Sequence, residues 1–272
     1  MSLLKEKLAS QISHLRDRVR NLAKESGKKA VSEVTVEQVL GGMRGVKTLI
    51  CDTSEVALDK GLIIRGIPIL ELTDKLPEEI FWLLLTGELP NEKELKDLQN
   101  ELNTRSKVPD YIWNLLKAFP ADAHPMNMFN SLITALGHES KFKEMYEHGL
   151  KKEAYWEYTL EDSLDLIAKL PALAAAIYRT RFNKGKVILP HPDLDWGANY
   201  AYMLGVSENK KEWYDLMRLY MTLHSDHESG NVSAFTAHVV GSALSDAYYT
   251  LAAGLNGLAG PLHGLANQEC LK

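Results

Sequence analysis

Residues 231–266 read NVSAFTAHVVGSALSDAYYTLAAGLNGLAGPLHGLA, a stretch in which glycine, alanine and serine recur every few positions. A glycine inside a helix costs about 1 kcal/mol relative to alanine, so this density needs a compensating gain. Close approach between helix backbones would supply it. We expect this stretch to form the central, most buried part of the fold, with a subunit interface as a candidate setting.

Outward from this stretch, an amphipathic helix is predicted near the N-terminus. Apolar side chains spaced 4-3-4-3 fall on one helical face, and they are Leu8, Ile12, Leu15, Val19 and Leu22. Three heptads are too few to require a coiled coil. The apolar face still needs a partner, which another subunit could supply.

Proline and glycine mark further helix boundaries. Pro77 is followed by two carboxylates, a pattern typical of a first turn, and Gly87 closes that helix. Residues 160–178 have a helical pattern but include Pro171, where we expect a kink or a break. Residues 213–224 predict another amphipathic helix.

Short β-like runs interrupt the helical pattern. Residues 48–51 and 62–64 are rich in β-branched or apolar side chains and lie close to Gly61 and Gly66. The sequence therefore predicts an all-α, multi-helical fold with a minor short β-hairpin near residues 47–66.

Composition excludes several classes of function. The 272 residues are 45% hydrophobic and 25% charged, enough for one large domain or two small ones. A net charge of −5 gives no bulk attraction to nucleic acid or an anionic membrane. No apolar run approaches the roughly 18 residues of a membrane span. The cysteines, Cys51 and Cys270, form no CxxC pair and favour a reducing compartment.

Two histidines, two carboxylates and an amide are concentrated in residues 224–231, HSDHESGN. Three interpretations stay open at this point. The side chains can satisfy one another at a polar helix end. His224 and His227, three positions apart, can share one face and bind a metal, although no third ligand is evident. The imidazoles and the amide can also hold a substrate carboxylate.

His263 follows a helix break at Gly260-Pro261, and Pro261 is suited to the start of the next helix. In that first turn the helix dipole favours a neutral imidazole. A neutral imidazole can donate a hydrogen bond to a developing oxyanion such as an enolate. A capping histidine without chemistry is the competing interpretation.

Motifs along the whole chain resemble those of citrate synthases, in the branch typical of mitochondria and some bacteria. The most specific are residues 224–233 (HSDHESGNVS), 241–246 (GSALSD) and 256–268 (NGLAGPLHGLANQ), with further matches at residues 41–45, 81–87, 165–171 and 217–220. The resemblance implies that residues 1–272 form the N-terminal part of the family's large helical domain, without its small domain.

The resemblance also implies roles for individual residues. His263 matches the catalytic histidine that stabilises the enol of acetyl-CoA. His227 matches a histidine that binds oxaloacetate, Asn231 matches a polar residue of that pocket, and Ser233 matches a serine that orients the catalytic histidine. The expected contacts to CoA are Arg44, Leu262 and Lys152.

The family reaction is the condensation of acetyl-CoA with oxaloacetate to citrate and CoA, with no metal and no cofactor. The expected assembly is a homodimer, and the expected location is the bacterial cytoplasm, or the mitochondrial matrix after removal of a transit peptide. Phe235 stands where relatives often have another histidine.

Nothing in this chain matches the family's second catalytic histidine, its catalytic aspartate or its oxaloacetate-binding arginines. We therefore expect the 272-residue polypeptide to be inactive by itself. The alternatives are a 2-methylcitrate synthase that uses propionyl-CoA, a non-catalytic helical dimerisation or CoA-binding module, and a metal-binding helical protein.

Overall fold

A computed structural model describes residues 2–43, 45–206, 210–228 and 230–264. Within these ranges the chain forms twelve α-helices and three short strands. They are α1 (Leu3–Ser26), α2 (Val36–Leu40), β1 (Ser54–Ala57), β2 (Gly61–Ile64), β3 (Ile67–Pro68), α3 (Pro77–Thr86), α4 (Glu92–Arg105), α5 (Asp110–Ala118), α6 (Pro125–Leu136), α7 (Lys141–Glu147), α8 (Tyr155–Arg181), α9 (Trp196–Leu204), α10 (Lys210–Leu223), α11 (Val232–Ser242) and α12 (Ala247–Leu258). The predicted all-α fold class is confirmed.

The strands form one small antiparallel sheet in the order β1-β2-β3. Ser54 pairs with Ile64 and Ala57 with Gly61, so β1 and β2 make the hairpin. The expected strand at 62–64 is confirmed, but the one at 48–51 is wrong, because those residues have no regular structure. Ser54–Ala57 is the strand that pairs with β2 instead, and the turn over residues 58–60 ends at Gly61, whose positive φ glycine adopts without strain.

The core is built around α8, which packs against α4, α6, α7, α9 and α12. Of the kink or break expected at Pro171, the break is wrong, because α8 continues from Tyr155 to Arg181 with Pro171 buried inside it. The kink stays a prediction. The apolar neighbours of Pro171 in the core, Ala172 and Leu173, are almost completely buried. Burial of this helix outweighs the backbone hydrogen bond that proline cannot make.

Helix α3 begins and ends as its sequence predicts. Pro77 is its first residue, and Gly87 follows its last residue in a left-handed conformation with φ 86°. The side chain of Glu79 accepts from the backbone N–H of Leu76 at 2.7 Å, which satisfies one donor at the helix start.

The apolar stripe of α1 is only partly covered. Leu4 and Leu8 are buried against α3 and α4, whereas Leu15, Val19 and Leu22 are exposed. The second half of this helix therefore presents an apolar face to solvent in a single chain.

The small-residue stretch forms α11 and α12, and its close backbone packing is confirmed. A Cβ added to Gly254 would lie 3.3 Å from the carbonyl oxygen of Ser233, and one added to Gly257 would lie 3.0 Å from a methyl carbon of Val232. The expectation that this is the most buried part of the fold is wrong, because α11 contains no buried residue. Small side chains here indicate contact between two helices rather than depth in the core. None of the described helices is long and apolar enough to cross a membrane.

Candidate active site

The clearest contact between predicted site residues joins Ser233 and His263. Ser233 is the second residue of α11, and His263 lies in the turn after α12. The hydroxyl oxygen of Ser233 is 2.9 Å from Nε2 of His263. The glycines of α12 bring its backbone against that of α11, and so the helix packing itself sets this distance.

The turn that carries His263 is held by its own backbone. The N–H groups of His263 and Gly264 both donate to the carbonyl oxygen of Gly260, at 3.0 and 3.2 Å. The ring is half-buried. The helix expected to begin at this point would continue into residues 265–272, which lie outside the described residues.

The Ser233 contact limits the chemistry of the imidazole. In a neutral ring one nitrogen donates and the other accepts. If the Ser233 hydroxyl donates to Nε2, the ring proton lies on Nδ1. Nδ1 is then the atom of His263 that can donate to an oxygen of a substrate.

Asn231 is the N-cap residue of α11 and lies two positions before Ser233. Its side-chain oxygen accepts from the backbone N–H of Ala234 at 2.9 Å, which satisfies a donor in the first turn of α11. The cap uses only the oxygen, and the amide nitrogen is the group that can donate to a carboxylate.

His227 lies in the segment between α10 and α11, and its side chain is exposed. Asp226 bonds the backbone N–H of His227 through Oδ1 at 3.0 Å and accepts from the hydroxyl of Thr53 through Oδ2 at 2.5 Å. The structure gives no hydrogen bond between His227 and His263.

The hairpin holds this segment through Glu228 as well. The N–H of Glu228 donates to Oγ of Ser54 at 2.8 Å, and its Oε1 accepts from the N–H of Val56 at 2.7 Å. Glu228 has φ 49°, a left-handed conformation that is uncommon for a residue other than glycine. The two hydrogen bonds hold this backbone conformation at the residue that follows His227.

Sequence reasoning missed the part played by Thr53 and Ser54. Each lies more than 170 positions from its partner, and neither belongs to a periodic pattern. The only available signal for these contacts was the pair of acidic side chains in the histidine motif, Asp226 and Glu228. Carboxylates that are not fully exposed need hydrogen-bond donors, and those donors had to come from elsewhere in the chain.

His224 contacts Tyr220, one turn before it in the chain. Its Nδ1 is 2.8 Å from the carbonyl oxygen of Tyr220, and its ring stacks on the Tyr220 ring with centroids 4.1 Å apart. Among the described residues, no group of three or more His, Cys, Asp or Glu is arranged to hold a metal ion.

The three residues expected to contact CoA are distributed as follows. Leu262 precedes His263 directly and is 88% exposed. Lys152 begins a 3₁₀ helix that leads into α8 and is also exposed. Arg44 lies outside the described residues.

Known proteins similar to this chain were found by sequence and by structure. The family model described as citrate synthase, C-terminal domain, matches residues 42–272. Mitochondrial citrate synthase of Saccharomyces cerevisiae is 50% identical over 99% of this chain, and that of Emericella nidulans is 49% identical over 98%. The chain spans 58% of the length of each of these two relatives.

A solved structure, citrate synthase from Pyrobaculum aerophilum, is similar with a TM-score of 0.77 and 31% sequence identity. The similarity covers 89% of this chain and 61% of that one.

Proposed function

This chain belongs to the citrate synthase family, and from that premise we propose that it contributes to the condensation of acetyl-CoA with oxaloacetate. The products are citrate and free CoA. The observation that carries the proposal is the 2.9 Å contact between Ser233 and His263, within two motifs typical of the family.

In this reaction the methyl group of acetyl-CoA loses a proton, and the resulting enol attacks the ketone carbon of oxaloacetate. Water then cleaves the thioester to release CoA. Negative charge develops on the thioester oxygen during the first step. His263, oriented by Ser233, donates to that oxygen from Nδ1 and stabilises the enol. No residue of this chain is proposed to remove the methyl proton.

His227 and Asn231 are proposed to bind oxaloacetate, through an imidazole and an amide nitrogen. Support comes from their positions in the segment that precedes α11, within one motif. Arg44, Lys152 and Leu262 are proposed to bind CoA, the first two through its phosphates and Leu262 through apolar contact. We propose no metal and no prosthetic group.

The proposed assembly is a homodimer. It is supported by the exposed apolar side chains of α1 and α11, among them Val19, Leu22 and Val239. The relatives from Saccharomyces cerevisiae and Emericella nidulans are mitochondrial proteins, which favours the mitochondrial matrix over the bacterial cytoplasm as the proposed location.

The test is an assay of CoA release with a thiol reagent, run on the complete product of the gene beside the 272-residue polypeptide. We expect turnover from the complete product and none above background from the polypeptide. His263→Ala in the active protein should lower kcat by at least about a hundredfold, the scale for loss of an oxyanion donor. His14→Ala, at an exposed position of α1, is the matched control and should keep full activity.

His227→Ala should chiefly raise the KM for oxaloacetate, because this contact is present in ground and transition states alike.

Rates measured with propionyl-CoA in place of acetyl-CoA test the 2-methylcitrate alternative. If the complete product has no activity with either thioester, the proposed condensation is wrong and the alternative of a non-catalytic module is favoured. Strong turnover by the 272-residue polypeptide would mean that the base is one of its own carboxylates, such as Asp226 or Glu228.

A further inference from the structure

A cavity of about 690 Å³ lies between α5, the end of α8 and the loop that follows α8. None of its lining residues belongs to the motifs at 224–233 or 256–264. Trp113 and Leu116 contribute apolar surface from α5, and Val187 contributes it from the loop. Its volume is within the range of small-molecule sites, which are mostly apolar with a few polar groups.

The charged groups that line this cavity are all cations. Lys117 comes from α5, Arg179 from α8 and Lys186 from the loop, and no carboxylate is among the lining residues. The two lysines are exposed, whereas Arg179 is 8% exposed.

Arg179 has no anionic partner within the part of the chain that the structure describes. Its Nε donates to the carbonyl oxygen of Lys186 at 2.7 Å, Nη1 to that of Leu204 at 2.9 Å, and Nη2 to that of Lys184. All three acceptors are neutral, and the ion pairs among the described residues do not include this guanidinium. Buried charges are ordinarily paired, because desolvation is costly.

The surrounding backbone is shaped to admit this guanidinium. Gly205 has φ 62°, and a Cβ there would lie 2.7 Å from Nη1 of Arg179. Gly185 has φ 87°, and a Cβ there would lie 3.4 Å from Nη2. The two glycines, both with positive φ, thus leave room for the buried guanidinium of Arg179. The hydrogen bonds of that guanidinium hold the backbone on one side of the cavity.

We propose that this cavity binds a small organic anion with an aromatic or aliphatic body. The anionic group lies among Lys117, Lys186 and Arg179, and the body packs against Trp113, Leu116 and Val187. The site is separate from the one assigned to acetyl-CoA and oxaloacetate, and the inference does not depend on that assignment.

The test uses 8-anilinonaphthalene-1-sulfonate, an aromatic anion that fluoresces in apolar sites, and N-phenyl-1-naphthylamine, the same ring system without the sulfonate. We expect the sulfonate probe to bind at one site per chain and at least about tenfold more tightly than the neutral probe. Raising the salt concentration should weaken only the sulfonate probe, because salt screens exposed charges.

Lys117→Glu with Lys186→Glu should weaken binding of the sulfonate probe at least about tenfold and leave the neutral probe unchanged. Both lysines are exposed, so the double variant keeps the fold, which circular dichroism checks. Lys93→Glu with Lys96→Glu on the exposed face of α4 is the matched control and should bind like the parent. Equal binding of the sulfonate probe by both double variants, equal loss in both, or no binding by the parent would each overturn the proposal.

Discussion

Glu78 is a buried carboxyl group on α3, with 1% of its surface exposed. Its Oε1 accepts from the backbone N–H of Trp196 at 2.7 Å. Burial, with the nearby Asp195 carboxylate, raises the pKa of Glu78 to about 7 from an ordinary value of 4.5. The folded protein therefore holds this proton at pH values at which the unfolded chain has released it.

We expect Glu78→Gln to stabilise the protein at pH 8 and not at pH 4. Between pH 4.5 and 7 the folded state binds more protons than the unfolded state, so the parent loses stability as the pH rises. Glutamine has no proton to lose, and the gain should reach about 3 kcal/mol above pH 7. Urea unfolding at several pH values measures it, with the exposed Glu25→Gln as control. A gain that is the same at pH 4 and pH 8 would contradict the assigned ionisation.

Ser54 is the residue through which the hairpin reaches the backbone of Glu228. Ser54→Ala removes that acceptor and loosens the segment that carries His227. Loss of one such hydrogen bond, about 1 kcal/mol, corresponds to about a fivefold higher KM for oxaloacetate with a smaller change in kcat. Steady-state kinetics on the active protein checks this against Ser13→Ala, an exposed serine of α1 that is distant in sequence. An unchanged KM would mean that the hairpin does not position His227.

At the scale of single elements, α7 depends on a carboxylate from another helix. Asp162 of α8 is completely buried, accepts from the Ser140 hydroxyl at 2.6 Å, and accepts from the N–H groups of Lys141 and Phe142 at 2.8 and 3.3 Å. The two N–H groups lie in the first turn of α7, where no preceding helical turn supplies a carbonyl oxygen to accept from them.

Asp162→Ala should lower the free energy of unfolding by about 2–3 kcal/mol, because it leaves buried donors without an acceptor. Asp162→Asn keeps one acceptor oxygen and should cost less. Denaturant unfolding measures both, and Asp122→Ala, at an exposed loop position, is the control. Equal stability of Asp162→Ala and the parent would show that water replaces the carboxylate there.

The elements that sequence predicted correctly are those that rely on local signals. Pro77 and Gly87 bound α3 because each acts on its own backbone. Pro171 does not end α8, because this helix packs against five other helices and no short window of sequence shows that packing. Ser233 and His263 were found through a motif, whereas Thr53 and Ser54 contribute through contacts between distant segments.

At the scale of the whole molecule, the exposed apolar face of α1 leads to a prediction about assembly. We expect a dimer at micromolar concentration that buries roughly 1,600 Å² in total, the size of a standard stable interface. Val19→Asp with Leu22→Asp should shift it towards monomer, since both side chains are exposed in one chain. Sedimentation velocity measures this, with Asn21→Asp on the same helix as control. A monodisperse parent monomer would refute the dimer.

The link between the hairpin and the histidine segment also affects the order of folding. Thr53 and Asp226 are 173 positions apart, and closing a flexible loop of that length costs about 4–5 kcal/mol of chain entropy. Helices form from contacts a few positions apart and need no such closure. Refolding chains should therefore regain their helical signal first and the contacts of the candidate site last, so that for part of each folding event the molecule is helical but has no candidate site.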